Sequence, residues 1–172
     1  MKKVLISLVL AVVLMLAVAA PAMAAAVETS KTATVTVNEY INATLTDNGT
    51  SGINFGSLDS GTSNNPADGQ PATGAVTMTI GAETNVAVKT GVKGVDFSDG
   101  ASHTIAIGQA SWNTTNTPGT ATAMTTSYAQ VGSDSTPGVQ QIQQIYHWLS
   151  IPNGQYPAAY TSTFTYKANK TL

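Results

Sequence analysis

The chain has no cysteine and no arginine, and only 9% of its residues carry charge. Each shortage closes off a class of function. Without cysteine there is no disulfide framework, thiolate nucleophile or cysteine-linked lipid anchor, so an exported form is held by packing and hydrogen bonds alone. Without arginine, and with seven lysines against nine acids, there is no basic footprint for nucleic acid. The two histidines, His103 and His147, stand far apart in the chain, and neither has a second ligand within a turn, whereas zinc needs three or four. No nucleophile is paired with a base at a recognisable spacing. Neither enzyme activity nor a cofactor is expected.

What is present begins at the N-terminus. Lys2 and Lys3 precede an apolar run from Val4 to Ala20 broken only by Ser7; Pro21 ends the run, and Ala22-Met23-Ala24 supplies a small-x-small site. This pattern reads as a cleavable signal peptide, helical over its apolar run, spanning residues 1–24. The alternative is an uncleaved anchor, because the run falls only slightly short of the roughly 20 residues that span a bilayer. Cleavage leaves residues 25–172, one domain by length, with five lysines against nine acids and hence a net charge of −4. The expected location is secreted or cell surface, with no membrane segment after cleavage.

The mature chain replaces charge with Ser, Thr, Asn and Gly. Its clearest strand signal runs from Thr32 to Thr46. Ala33, Val35, Val37, Ile41, Ala43 and Leu45 occupy odd positions, and Thr32, Thr34, Thr36, Asn38, Asn42 and Thr44 the even ones. That is a period of two in residues suited to a pleated surface. Glu39 interrupts the apolar face, as a bulge would, or as a charge whose partner lies in another subunit. A Gly-, Ser-, Asn- and Pro-rich loop is expected over Gly56–Gly74. Strands are expected at Ala75–Ile80, Asn85–Lys89, Val92–Phe97 and His103–Ile107, with a turn at Asp99-Gly100. Val139 to Leu149 fits both periods; the reading is a short helical or irregular start leading into a strand at Ile145–Ile151. A last strand spans Tyr160–Lys167. About seven to nine short strands separated by turn signals predict an all-β fold, an antiparallel β-sandwich of jelly-roll or Ig-like type.

Two features bear on ligands. The aspartates around Asp59, Asp68, Asp96 and Asp99 could staple loops through calcium, but their spacing is that of ordinary turn residues, so no metal is assigned. Trp112 stands in the polar stretch Ser111-Trp112-Asn113-Thr114-Thr115, where it either caps the core or faces a partner such as a cell-surface glycan. Trp148 reads as core.

The ending Ile151-Pro152-Asn153-Gly154-Gln155-Tyr156, followed by the alternation from Tyr160 to Tyr166, is similar to the last strands of spore-coat-U and pilin-type sandwiches. Pro157-Ala158-Ala159 departs from that pattern. The signal peptide, the long Thr-Val strand and the Asn-rich body together resemble TasA-like biofilm fibre subunits and archaeal bundling pili. The resemblance implies that the segment after the signal peptide completes the sheet of a neighbour. Val27–Leu45 is then the donor strand, with Val35, Val37, Ile41 and Leu45 as its buried face, and the partner is a further copy in a homopolymer. The rival expectation is a monomeric module that binds carbohydrate or cell wall through Trp112.

Overall fold

The computed structural model describes residues 30–49, 52–68, 70 and 74–172. The expected signal peptide and the first residues of the expected donor strand lie outside them. The chain divides into two units, Met1–Thr36 and Val37–Leu172. In the first, residues 30–36 are exposed and belong to no helix or strand.

The second unit is built mostly of antiparallel β-structure. Its strands are β1 (Ala43–Asp47), β2 (Asn65–Pro66), β3 (Val76–Ile80), β4 (Lys89–Gly94), β5 (Phe97–Ser98), β6 (Thr104–Ile105), β7 (Ala110–Asn113), β8 (Thr122–Ala123), β9 (Ala129–Gln130), β10 (Gln141–Leu149) and β11 (Phe164–Asn169). The larger sheet has the order β1-β3-β10-β7-β8, with β2 beside the end of β10. A second sheet has the order β11-β4-β9, and β5 and β6 form a separate ribbon.

Alternation explains why these segments become strands. Val76, Met78 and Ile80 are buried along β3 while Thr77 and Thr79 between them are only partly so. On β10, Ile145, His147 and Leu149 share the core face with Trp112 of β7, which stands opposite His147 in register. Val92 of β4 packs in the same cluster as Ile145, Leu149 and Trp112, with Phe164 and Tyr166 of β11 against it. Both larger sheets therefore contribute to one core. Some buried polar groups are paired, the Thr90 hydroxyl donating to the Val131 carbonyl at 2.7 Å and the Val88 N–H to Ser135 Oγ at 3.0 Å, whereas Trp112 Nε1 and His147 Nδ1 are buried without a partner among the described residues.

The structure corrects several expectations. The strand expected over Thr32–Thr46 is a strand only at Ala43–Asp47, because its partner β3 is just five residues long and turns away at Gly81. Upstream, side chains replace the ladder. Asn85 accepts from the Tyr40 N–H at 2.8 Å and donates to the Asn38 carbonyl at 2.8 Å, and Thr84 Oγ1 accepts from the Asn42 N–H at 2.9 Å. Glu39 pairs within its own chain, with Lys170 at 2.6 Å.

No helix opens the 139–149 stretch. β10 is strand from Gln141, and Ile142, which would have faced inward on a helix, is 60% exposed. The expected strand over Asn85–Lys89 begins only at Lys89, and the one over Val92–Phe97 breaks after Gly94. The Gly56–Gly74 segment is not all surface, since Ala67 and Gln70 are fully enclosed.

Gly74 is a close approach between backbones. Its φ is +77°, and a Cβ there would lie 3.0 Å from the Ile145 carbonyl oxygen. Gly74→Ala is expected to cost about 1–3 kcal/mol, read as a lower midpoint in urea unfolding with an unchanged slope.

Candidate functional site

Each of the two larger sheets ends in a strand whose outer edge meets no other backbone among the described residues. On β1, Gly81 N–H donates to the Asn42 carbonyl at 2.9 Å and Asn48 N–H to the Ala75 carbonyl at 3.0 Å. Bonding residues alternate along an antiparallel strand, so Thr44 and Thr46 face β3, while Ala43, Leu45 and Asp47 turn their backbone groups outward. On β4, Gly94 N–H donates to the Thr125 carbonyl and the Thr90 carbonyl accepts from Val131. Thr90, Val92 and Gly94 thus bond away from β11. Their register partners Ala168, Tyr166 and Phe164 turn their own backbone groups to the open side.

A groove of about 980 Å³ lies between these edges. Leu45 and Asp47 of β1 line it, as do Phe164 and Tyr166 of β11. Ile53, Phe55 and Leu58 from the loop after β1 join them, as do the residues from Tyr156 to Ser162. Its floor is aromatic: Phe97 meets Phe55 edge-on at 6.3 Å and Phe164 at 5.9 Å. The two acids that line it are Asp47 and Asp59, and no lysine does.

Beneath the groove a hydrogen bond crosses from one sheet to the other. His147 Nε2 on β10 lies 2.8 Å from the Tyr166 hydroxyl on β11. His147 is completely enclosed. Burial pushes its pKa down to about 3, only partly offset by the Ser111 backbone, so the ring is neutral. Burial, with the Asp47 charge nearby, pushes the Tyr166 hydroxyl well up.

The four expected donor residues do not act as one set. Val35 and Val37 are 84% and 77% exposed and lie outside any strand. Ile41 packs against Met78, Ile80 and Val88 of its own chain. Leu45 is on β1, half-exposed at the rim of the groove. Trp112, considered as a surface contact for a glycan, is instead 6% exposed on β7 and belongs to the core. A stacking platform needs a free ring face, and this ring has none. Trp148 is also enclosed.

His103 is held by Asp99 at 2.6 Å and stacks on Tyr156 at 4.0 Å. No three His, Asp or Glu side chains converge among the described residues. Phe55, Phe164 and Tyr166 were not singled out as a site from sequence, although the Tyr160, Phe164, Tyr166 alternation marks part of the wall. Comparison with protein-family models and with curated proteins finds no match for this chain.

The buried imidazole dictates how the fold responds to acid. Its folded pKa lies below the unfolded value of 6.5, so the unfolded state binds the proton first. The contribution is fully present above pH 6.5 and falls by about 1.4 kcal/mol per unit as pH drops toward 3. Urea unfolding followed from pH 7 to 4.5 is expected to show this slope, and His147→Asn to flatten it while lowering stability at pH 7.

Proposed function

We propose that the chain is a secreted β-sandwich, a structural subunit of an extracellular fibre, pilus or surface coat that self-associates by β-strand complementation. The observation that carries this reading is the pairing of two unmet needs. Among the described residues, residues 30–37 present two exposed valines at period two with no sheet partner, and both larger sheets end in open strands. Open edges are where chains join. Val35 and Val37 each contribute roughly 1.5–3 kcal/mol on full burial, and each strand hydrogen bond adds about 1 kcal/mol. Those terms sum within one contact. The signal-peptide pattern of residues 1–24 delivers the chain to the outside of the cell, where such polymers are built. The rival reading, a monomeric carbohydrate- or wall-binding module, rested on Trp112, and the enclosed indole removes its support.

Protein recovered outside the cytoplasm is expected to begin at Ala25 or within two residues of it, by N-terminal sequencing; material that retains Met1–Ala24 would mean an anchor instead. Wild-type mature protein is expected to polymerise. Val37→Asp, and deletion of residues 25–36, are expected to give folded monomers, measured by light scattering and negative-stain microscopy. A wild type that stays monomeric at high concentration overturns the assembly reading.

A further inference from the structure

We infer that the groove between β1 and β11 receives residues 30–38 of a second copy, antiparallel to β11, with Lys31 of the entering copy paired to Asp47. This rests on the strand-complementation reading and specifies its acceptor, polarity and register-setting contact.

The face of the segment comes first. By period two, Lys31, Ala33, Val35 and Val37 share one side, so a strand that buries its valines carries Lys31 on the same side. The other lysines of the described residues are engaged. Lys89 pairs with Asp134 at 3.0 Å and Lys170 with Glu39 at 2.6 Å. Lys93 and Lys167 lie over the Tyr128 ring at 4.7 and 5.4 Å. Lys31 alone among them has no side-chain partner within the described residues.

Asp47 is its counterpart. In register it stands opposite Val76, as Leu45 stands opposite Met78, and Val76 and Met78 are buried. Asp47 therefore lies, with Leu45, on the face of an edge strand that lines the groove, and it has no ion-pair partner among the described residues. A charge in that position repels any strand that lacks its complement. A strand that brings Lys31 satisfies it.

Polarity follows. Asp47 is close enough to Tyr166 to act on its hydroxyl, and the residues before β11, Tyr160 to Thr163, line the groove beyond Phe164. With Lys31 at Asp47, Val35 and Val37 fall about 13 and 20 Å further on, at about 3.3 Å per residue, past Phe164 toward Tyr160. That course runs from Tyr166 to Phe164, opposite to β11. The outward N–H and C=O groups of those two residues are there to bond it. Segment and groove are different surfaces of one chain, so the contact is head-to-tail and continues into a filament.

The test uses the full mature protein with Lys31→Glu and Asp47→Lys, both at exposed positions, with melting curves to confirm folding. Each variant alone is expected to raise the concentration needed for polymers by at least about tenfold. An equimolar mixture is expected to restore them, because in an alternating filament every junction again joins one lysine to one carboxylate: the two introduced charges meet at one junction, and the native Lys31 and Asp47 meet at the next. Asp47→Asn serves should Asp47→Lys not fold; it is expected to weaken assembly and not to rescue Lys31→Glu. Single variants that polymerise like wild type, or a mixture that fails to recover, overturn the inference and leave the fibre reading standing. Rescue of Lys31→Glu by Asp59→Lys and not by Asp47→Lys overturns the polarity. A wild type that never polymerises removes the reading on which the inference rests.

Discussion

Nine residues of β10 hold the larger sheet together because that strand changes partner halfway along. Gln141 to Ile145 pair with β3, and Tyr146 to Leu149 pair with β7 while Trp148 and Leu149 also meet β2. Ala67 and Ala75, just after β2 and just before β3, bond to β10 around this junction. Ala67 N–H donates to the His147 carbonyl at 3.1 Å, and Ala75 N–H donates to the Ile145 carbonyl at 2.9 Å. His147 sits at this junction, and its ring then reaches across to Tyr166. One residue thus serves the ladder with its backbone and joins the two sheets with its side chain.

Much of this was legible in the sequence where one face is buried and the other is not. Val76, Met78 and Ile80 alternate as β3 does, and Ile145, His147 and Leu149 mark the inner face of β10. The end of a strand was not legible, because it depends on the length of the partner. Nothing in Thr32–Thr46 says that β3 stops at Ile80, or that Asn85 and Thr84 will take over the backbone bonds from Asn42 upstream. Trp112 misled because its neighbours are polar, yet alternation on a four-residue strand is enough to bury one side chain among Ser and Asn. The spacing of Val35 and Val37 marked a shared face, but not that it would stand outside any strand. The groove was not legible, since Leu45, Phe55, Tyr160 and Phe164 come from segments that only the sheet order brings together.

A chain this poor in charge fixes its loops with amides and hydroxyls. Asn113 Nδ2 donates to both Thr117 and Thr120, Asn48 donates to Gly74 and Thr77, and Asn65 donates to Thr62 and to the Leu149 carbonyl. Such bonds are short-ranged and insensitive to salt. Range and sign matter where the few charges meet, as in the Lys89–Asp134 and Lys170–Glu39 pairs.

In a fibre assembled this way, the bonds around Asn85 and the β1 ladder acquire a mechanical meaning. Tension drawn through residues 30–36 enters the domain at Val37, passes the Asn85 clamps and the Glu39–Lys170 pair, and reaches β1 directly. β1 is also a wall of the groove that grips the next copy. The load path along the filament would then skirt the body of the domain, running from one grip to the next through β1 and its neighbour β3. A pull in line with β1 places the β1–β3 hydrogen bonds in shear, so that they share the force instead of opening one at a time.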